Sequence, residues 1–218
     1  MTFEEIGDLV RDLMDDGETD VRAMIDVEIN NTYMGLINPV GETEPPWWLT
    51  SDATLTLADG TQVYDDTAGG AGFLAQNISR ILTMSVDGSP VGLIKDVKEI
   101  ELYAGKGYHD TAIKDKPHSV YHGKTFNGDG TEINKVIFYL TPDSAYTVSY
   151  WYEIRVSRLS ATTDVPLLPD FAHSAIAYGT LTKMALFDLA VKAGPWKAYY
   201  DTAVAQLTTY RKIKHFQS

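Results

Sequence analysis

Hydrophobic and polar positions change rhythm three times along the 218-residue chain. At the front, Ile6, Val10 and Leu13 recur at helical spacing behind Thr2 and Glu5, a Thr-x-x-Glu pattern in which side chains and backbone cap each other. Asp15-Asp16-Gly17 breaks that helix. A second is predicted from about Thr19 or Asp20, with Val21, Ile25, Ile29 and Tyr33 along one face, ending at Asn38-Pro39 and Gly41. Helices this short cannot bury their apolar stripes alone, so both must dock elsewhere in the fold.

From Glu44 the period shortens to two. Pro45-Pro46-Trp47-Trp48 reads as an aromatic hinge, and the segment TLTLADGTQVY alternates around Asp59-Gly60, the residue pair of a β-hairpin turn. Residues 65–77 are Gly/Ala-rich and read as a loop. Ile78–Val86 reads as a strand that turns at Asp87-Gly88. Residues 95–105 suit a short helix, residues 105–118 are polar and turn-rich, and Ser119–His122 suits a strand before a Gly128-Asp129-Gly130 turn. Ile133–Leu140 and Tyr146–Val156 are the clearest strands, joined across Thr141-Pro142-Asp143-Ser144.

The end returns to helix. Asp170, after Leu167-Leu168-Pro169, is placed to cap a helix start. Residues 171–191 are apolar on most of their circumference, including Ile176, Leu181, Met184, Phe187 and Leu189, which requires burial in a bundle or an oligomer. Ala193-Gly194-Pro195 then stops one helix and opens the next, whose Trp196, Tyr200, Ala203, Leu207 and Tyr210 form one seam. The expected architecture is α+β: N-terminal helices over residues 1–43, a central, mostly antiparallel β domain over 44–160, and a C-terminal helical hairpin and tail over 161–218 that packs with the first helices as a bundle.

Charge refines this picture. Residues 1–66 hold sixteen Asp and Glu against Arg11 and Arg22, whereas beyond Asp201 the only charges are Arg211, Lys212 and Lys214. An acidic front argues against a surface that wraps nucleic acid, which needs clustered cations. It reads as a solvated face, or as one partner of complementary surfaces in an assembly. No apolar run is long enough to span a bilayer, and the acidic N-terminus has no positive n-region, so neither a membrane span nor a cleaved signal peptide is expected. The absence of cysteine removes disulfides and thiolate metal sites and suits synthesis in a cytoplasm.

Catalytic constellations are missing: there is no Gly-x-Ser-x-Gly elbow, no phosphate-binding glycine loop and no His-Glu-x-x-His. His109, His118 and His122 could hold a metal, as in a hydrolase, but read more simply as surface histidines. Asn127–Glu132 resembles a calcium loop in composition, yet lacks the first acidic ligand and the flanking helices, which favours a hairpin turn. Asp15-Asp16 and Asp65-Asp66 read as solvated loop charges. The residues Trp47, Trp48 and Trp151 could line a carbohydrate platform, as in a carbohydrate-binding module; packing and subunit contact is the commoner use of such aromatics. No enzyme activity and no cofactor are expected.

The run VIFYLTPDSAYTVSYWYEIRVSRL, then DVPLLPDFAHSAIAYGTLTKMALF, then Gly-Pro and WKAYYDTAVAQLTTYRK resembles the tailed-phage adaptor proteins of the podovirus neck. The earlier chain fits the same pattern: Trp48 before LTLADGTQVY, the Asp87-Gly88 turn, and Lys116-Pro117 leading to Tyr121. Residues 65–77 depart from it, being longer and richer in Gly and Ala than the expected connection. The resemblance implies a structural virion protein of the neck: a ring of copies, typically twelve, docked beneath the portal protein and extending the DNA channel toward a tail nozzle or other tail proteins. DNA would pass through without specific binding. It implies a C-terminal tail that reaches the portal, here with Tyr210, Arg211, Lys212, Ile213, Lys214 and Phe216 as contact candidates. Trp47, Trp48, Trp151, Trp196 and Tyr200 are the corresponding subunit-contact candidates. A stopper or tail-completion protein is the neighbouring alternative.

Overall fold

The computed structural model describes residues 1–14, 21–38, 46–67, 74–94, 96, 113–126, 128, 130–185 and 193–213. The chain forms two compact units, Met1–Trp48 with Ser157–Ser218, and Leu49–Val156. Helices lie at both ends of the sequence and an antiparallel-rich β region lies between them, the α+β arrangement expected.

In the first unit, α1 (Phe3–Met14) starts as its sequence dictates. The Thr2 N–H donates to Glu5 Oε2 at 2.8 Å and the Glu5 N–H donates to Thr2 Oγ1 at 3.2 Å. Two further helix-start amides find partners on the returning chain: Phe3 N–H donates to the Asp164 carbonyl at 2.7 Å, and Glu4 N–H to that of Thr162 at 3.2 Å. The Asp164 carboxylate holds this returning turn in shape by accepting the Ser160 and Ala161 amides. Helix α2 (Arg22–Ile37) buries Ile25, Ile29 and Tyr33 as its spacing predicts. Its buried Asn30 donates to the Leu159 carbonyl and accepts the Leu159 N–H, at 3.0 and 2.8 Å, pinning the returning chain to the helix. The expected start at Thr19 or Asp20 lies outside the described residues.

Helix α3 (His173–Met184) follows a 3₁₀ turn at Asp170–Ala172. Asp170 does not cap it. The backbone supplies the bonds instead, Ala172 N–H to the Pro169 carbonyl and His173 N–H to that of Asp170, because the tight turn brings carbonyls under the first amides. Along α3 every residue is buried or half-buried, and the helix packs against α1, α2 and α4 (Ala193–Ile213). Gly179 lets three helices close up: a Cβ there would lie 2.5 Å from Thr32 Cγ2 and 2.7 Å from the Tyr200 ring.

The last described turn of α4 is anchored. Arg211, 8% exposed, donates through Nη2 to the Leu36 and Ile37 carbonyls at 2.8 and 3.0 Å. Those are carbonyls at the end of α2 that no following turn of helix can satisfy, and the guanidinium also complements the negative end of the helix dipole.

The second unit contains two four-stranded sheets. The first has the order β1 (Thr50–Leu57), β8 (Tyr146–Ile154), β3 (Ile78–Val86), β4 (Ser89–Pro90); the second has β2 (Val63–Asp65), β7 (Glu132–Tyr139), β6 (Ser119–Phe126), β5 (Gly92–Ile94). All pairs are antiparallel except β5 with β6. Leu55, Leu57, Met84, Val86, Val148 and Tyr150 from one sheet share a core with Tyr64, Val120, Val136 and Phe138 from the other. The Tyr64 and Tyr150 hydroxyls accept the Ala58 and Ala75 amides at the margin of that core.

One expected connection is corrected. Asp59-Gly60 does form a turn, with Gly60 at φ 73°, but the strands on either side belong to different sheets: β1 pairs with β8 and β2 with β7. β7 and β8 are joined across Thr141–Ser144 as expected, and they too belong to different sheets. Both links arch from one sheet to the other, since pairing β1 with β2 would leave Leu55 and Leu57 without the facing core. Asp87-Gly88 is a true hairpin, with both residues at positive φ and β3 paired to β4. The short helix expected over 95–105 lies outside the described residues, apart from Asp96.

Gly179→Ala is expected to lower stability by roughly 1–3 kcal/mol, despite alanine's better helix propensity, because Thr32 is buried and cannot yield. Arg211→Ala is expected to cost roughly 2–4 kcal/mol, and Arg211→Lys less, through loss of two charge-assisted bonds at a helix end. Urea denaturation midpoints at constant m-value check both.

Candidate functional site

The candidate contact residues of the chain end do not form one patch. Tyr210 and Arg211 are used inside the first unit. The Tyr210 ring packs on Trp47, Trp48 and Phe171 at centroid distances of 5.4, 5.9 and 5.2 Å, and the Arg211 Cζ lies 5.5 Å from the centre of the Trp48 ring. Arg211, a candidate for contact with the portal, has partners inside its own unit: carbonyls 174 and 175 positions earlier, at a separation no sequence spacing reveals. Lys212 and Ile213 continue the backbone of α4, whereas Lys214 and Phe216 lie outside the described residues.

The subunit-contact candidates separate likewise. Trp47 and Trp48 sit in the aromatic cluster just described, their rings 5.8 Å apart and nearly perpendicular. Trp196 stacks on Tyr178 at 6.0 Å and 9°, with Tyr199, 58% exposed, alongside both. Tyr200 fills the space against Gly179, and burial pushes its phenol up. Trp151 is different: it stands on the central strand β8 of the first sheet, is 54% exposed, and has no ring partner among the described residues. Tyr178 and Phe171, which complete the helical clusters, carried no signal beyond being aromatic.

The acidic front has a defined local form. Glu4, Glu5, Asp8 and Asp12 are exposed on α1, and Arg11 pairs with Asp8. Glu132, the last residue of the calcium-like segment, is instead paired with Lys124 and Arg155 at 2.9 and 2.6 Å. The Lys124 bond is the main cause that holds its carboxyl below the usual range. The hairpin reading of this segment fits, since β6 and β7 pair antiparallel across it.

The histidines do not converge. His109 is outside the described residues, and the exposed His118 shares a hydrogen bond with Ser119 Oγ. Among the described residues no three His, Asp or Glu side chains are grouped to hold a metal. His122 has another role, which the sequence did not signal. Two irregularities in β3 interrupt its pairing with β8, and His122 Nδ1 accepts the Ile81 N–H at 3.4 Å from the opposite sheet. His122 Nε2 then donates to Asn134 Oδ1 at 3.2 Å. The fully buried Asn134 donates onward to Asp66 Oδ2 at 2.7 Å and to the Ile78 carbonyl at 3.0 Å. Asp66 is thus a structural anchor rather than a solvated loop charge. Burial pulls the His122 imidazole down, opposed by the Asn134 bond; Lys124 also lowers it and Asp66 raises it.

A sign follows from that burial. Above pH 6.5 His122 is neutral in both folded and unfolded chains and adds no pH dependence. As pH falls below 6.5 the unfolded chain takes up the proton first, so stability declines until the folded-state value is passed. Stability measured from pH 8 to 5 is expected to fall more steeply for the wild type than for His122→Gln; identical profiles would exclude the assignment.

No curated protein matches the chain. A family model described as SU10 adaptor protein matches residues 1–215, spanning both units and every helix and strand described above. The chain belongs to the SU10 adaptor protein family, and with it to the phage head-to-tail adaptors of the virion.

Proposed function

We propose that this adaptor works by assembly: copies of the chain, twelve in the virion, form a ring below the portal protein, extend its DNA channel and present a platform to tail proteins. The single observation that carries this reading is the family match over residues 1–215.

Three features of the helical unit support a division of labour. The anchoring of Tyr210 and Arg211 holds the last described turn of α4 in place. Lys214 and Phe216, a cation and an apolar group, then serve as the portal contact. A contact segment attached to an anchored turn gives up less freedom on docking than one attached to a loose end. The exposed carboxylates of α1 suit a wall along which DNA slides, because like charge prevents phosphate adhesion. Trp196 and Tyr199 provide the aromatic surface for contact between neighbouring copies.

Removal of residues 214–218 is expected to weaken capture of the portal at least about tenfold while leaving the melting temperature within a few degrees, since every anchoring side chain is retained. Unchanged capture would exclude the tail contact and leave the adaptor role standing. Electron cryomicroscopy of the intact particle tests the ring: α1 on its outer surface would exclude the channel-wall role.

A further inference from the structure

The outward face of the sheet β1–β8–β3–β4 carries an exposed indole among polar side chains. On β8 the alternation sends Val148 and Tyr150 into the core and Ser149 and Trp151 outward. The pairing registers then set two rows across three strands: Asp52, Trp151 and Thr83 in one, Thr54, Ser149 and Ser85 in the next. Direct neighbours within a row have Cβ atoms about 5 Å apart, and the rows are separated by roughly 7 Å along the strand. Trp151 is 54% exposed with a hydroxyl and a carboxylate as its cross-strand neighbours. At one end of the face Arg80 Nε meets Glu153 Oε2 at 2.7 Å, so that pair adds no net charge.

This composition discriminates between occupants. A protein-protein contact built on a tryptophan surrounds it with contacts that exclude water, and the cores of such contacts are poor in Ser and Asp. The two rows offer the reverse, one large π face on a floor of hydroxyls. An anionic ligand is disfavoured by the formal charge of −12 and by Asp52 beside the indole. A neutral polyol with an apolar side fits: the C–H face of a pyranose ring lies on an indole while its equatorial hydroxyls bond the flanking oxygens.

We propose that this face of the β unit is a carbohydrate-binding platform for neutral pyranose chains, with Trp151 as the stacking residue. Asp52 and Thr83 orient the stacked sugar, and the Thr54–Ser149–Ser85 row receives the next one. Contact of Trp151 with a neighbouring copy is the competing use of this face, which the test below separates. The reading is independent of the ring, because all six residues belong to one sheet of one unit.

The test titrates the purified full chain with neutral hexasaccharides (cellohexaose, chitohexaose, maltohexaose and α-mannohexaose), followed by tryptophan emission and by amide chemical shifts. At least one is expected to bind saturably in the micromolar to millimolar range, with shifts confined to β1, β3 and β8. Trp151→Ala is expected to weaken that binding at least about tenfold, and Asp52→Asn several-fold, with melting temperatures unchanged because both side chains are exposed. Absence of saturable binding across the panel to 10-fold beyond about 1 mM would overturn the proposal, as would binding that survives Trp151→Ala. Loss of self-association in Trp151→Ala, measured by sedimentation without any saccharide effect, would assign the face to a second copy of the chain instead.

Discussion

The helical unit depends on one constraint: α3 has no exposed residue, so it is stable only when other helices surround it. Its partners come from both ends of the chain, α1 and α2 from before the β unit and α4 from after it. Neither half can bury its apolar residues alone, and closure of the bundle is the event that makes all four helices worth forming. Gly179 is where this closure is tightest, with Thr32 on one side and Tyr200 on the other.

Such closure across a long intervening segment is feasible because chain-closure entropy grows slowly, by only about 0.6 kcal/mol for each doubling of length. Residues 49–156 form a compact unit with a core of their own, which shortens the effective span further. What must then be specified is the alignment of the returning chain. Polar groups supply it: Asn30 reads the backbone of Leu159 in both directions, the Asp164 and Thr162 carbonyls take the first amides of α1, and Arg211 takes the last carbonyls of α2. Apolar contacts tolerate sliding, whereas these bonds have one register.

This division explains what could be read beforehand. The helices were legible because their signals are local: the Thr2–Glu5 box and the Ile25–Ile29–Tyr33 spacing lie within a few residues of what they specify, whereas Gly194, read as a helix stop, lies inside the first turn of α4. The strands were legible for the same reason, but their partners were not. Asp59-Gly60 and Asp87-Gly88 are the same dipeptide in similar settings, yet one arches between sheets and the other closes a hairpin. The difference lies in which face of each strand is buried and against what, a property of the assembled core and not of the turn. Asp170 shows the converse error, a good capping residue displaced by a 3₁₀ turn whose carbonyls do the capping. Arg211 and the His122–Asn134–Asp66 relay were beyond reach because a polar side chain gives no hint of a partner far along the chain.

The aromatic residues show how far composition falls short of role. Four tryptophans are alike as residues, yet Trp47, Trp48 and Trp196 each meet a tyrosine ring of the helical unit. They lie where helices or their connections cross, and there a large flat side chain fills space between curved surfaces. Trp151 lies in a strand whose neighbours on the same face are Thr, Ser and Asp, so the pleat holds it upright with no ring against it among the described residues. Burial of an indole is worth several times what a threonine contributes, and leaving one exposed forgoes that stabilisation. A half-exposed indole on the central strand of a well-packed sheet therefore gives up part of that stabilisation, and a sugar ring stacked on it, as proposed above, would recover that part.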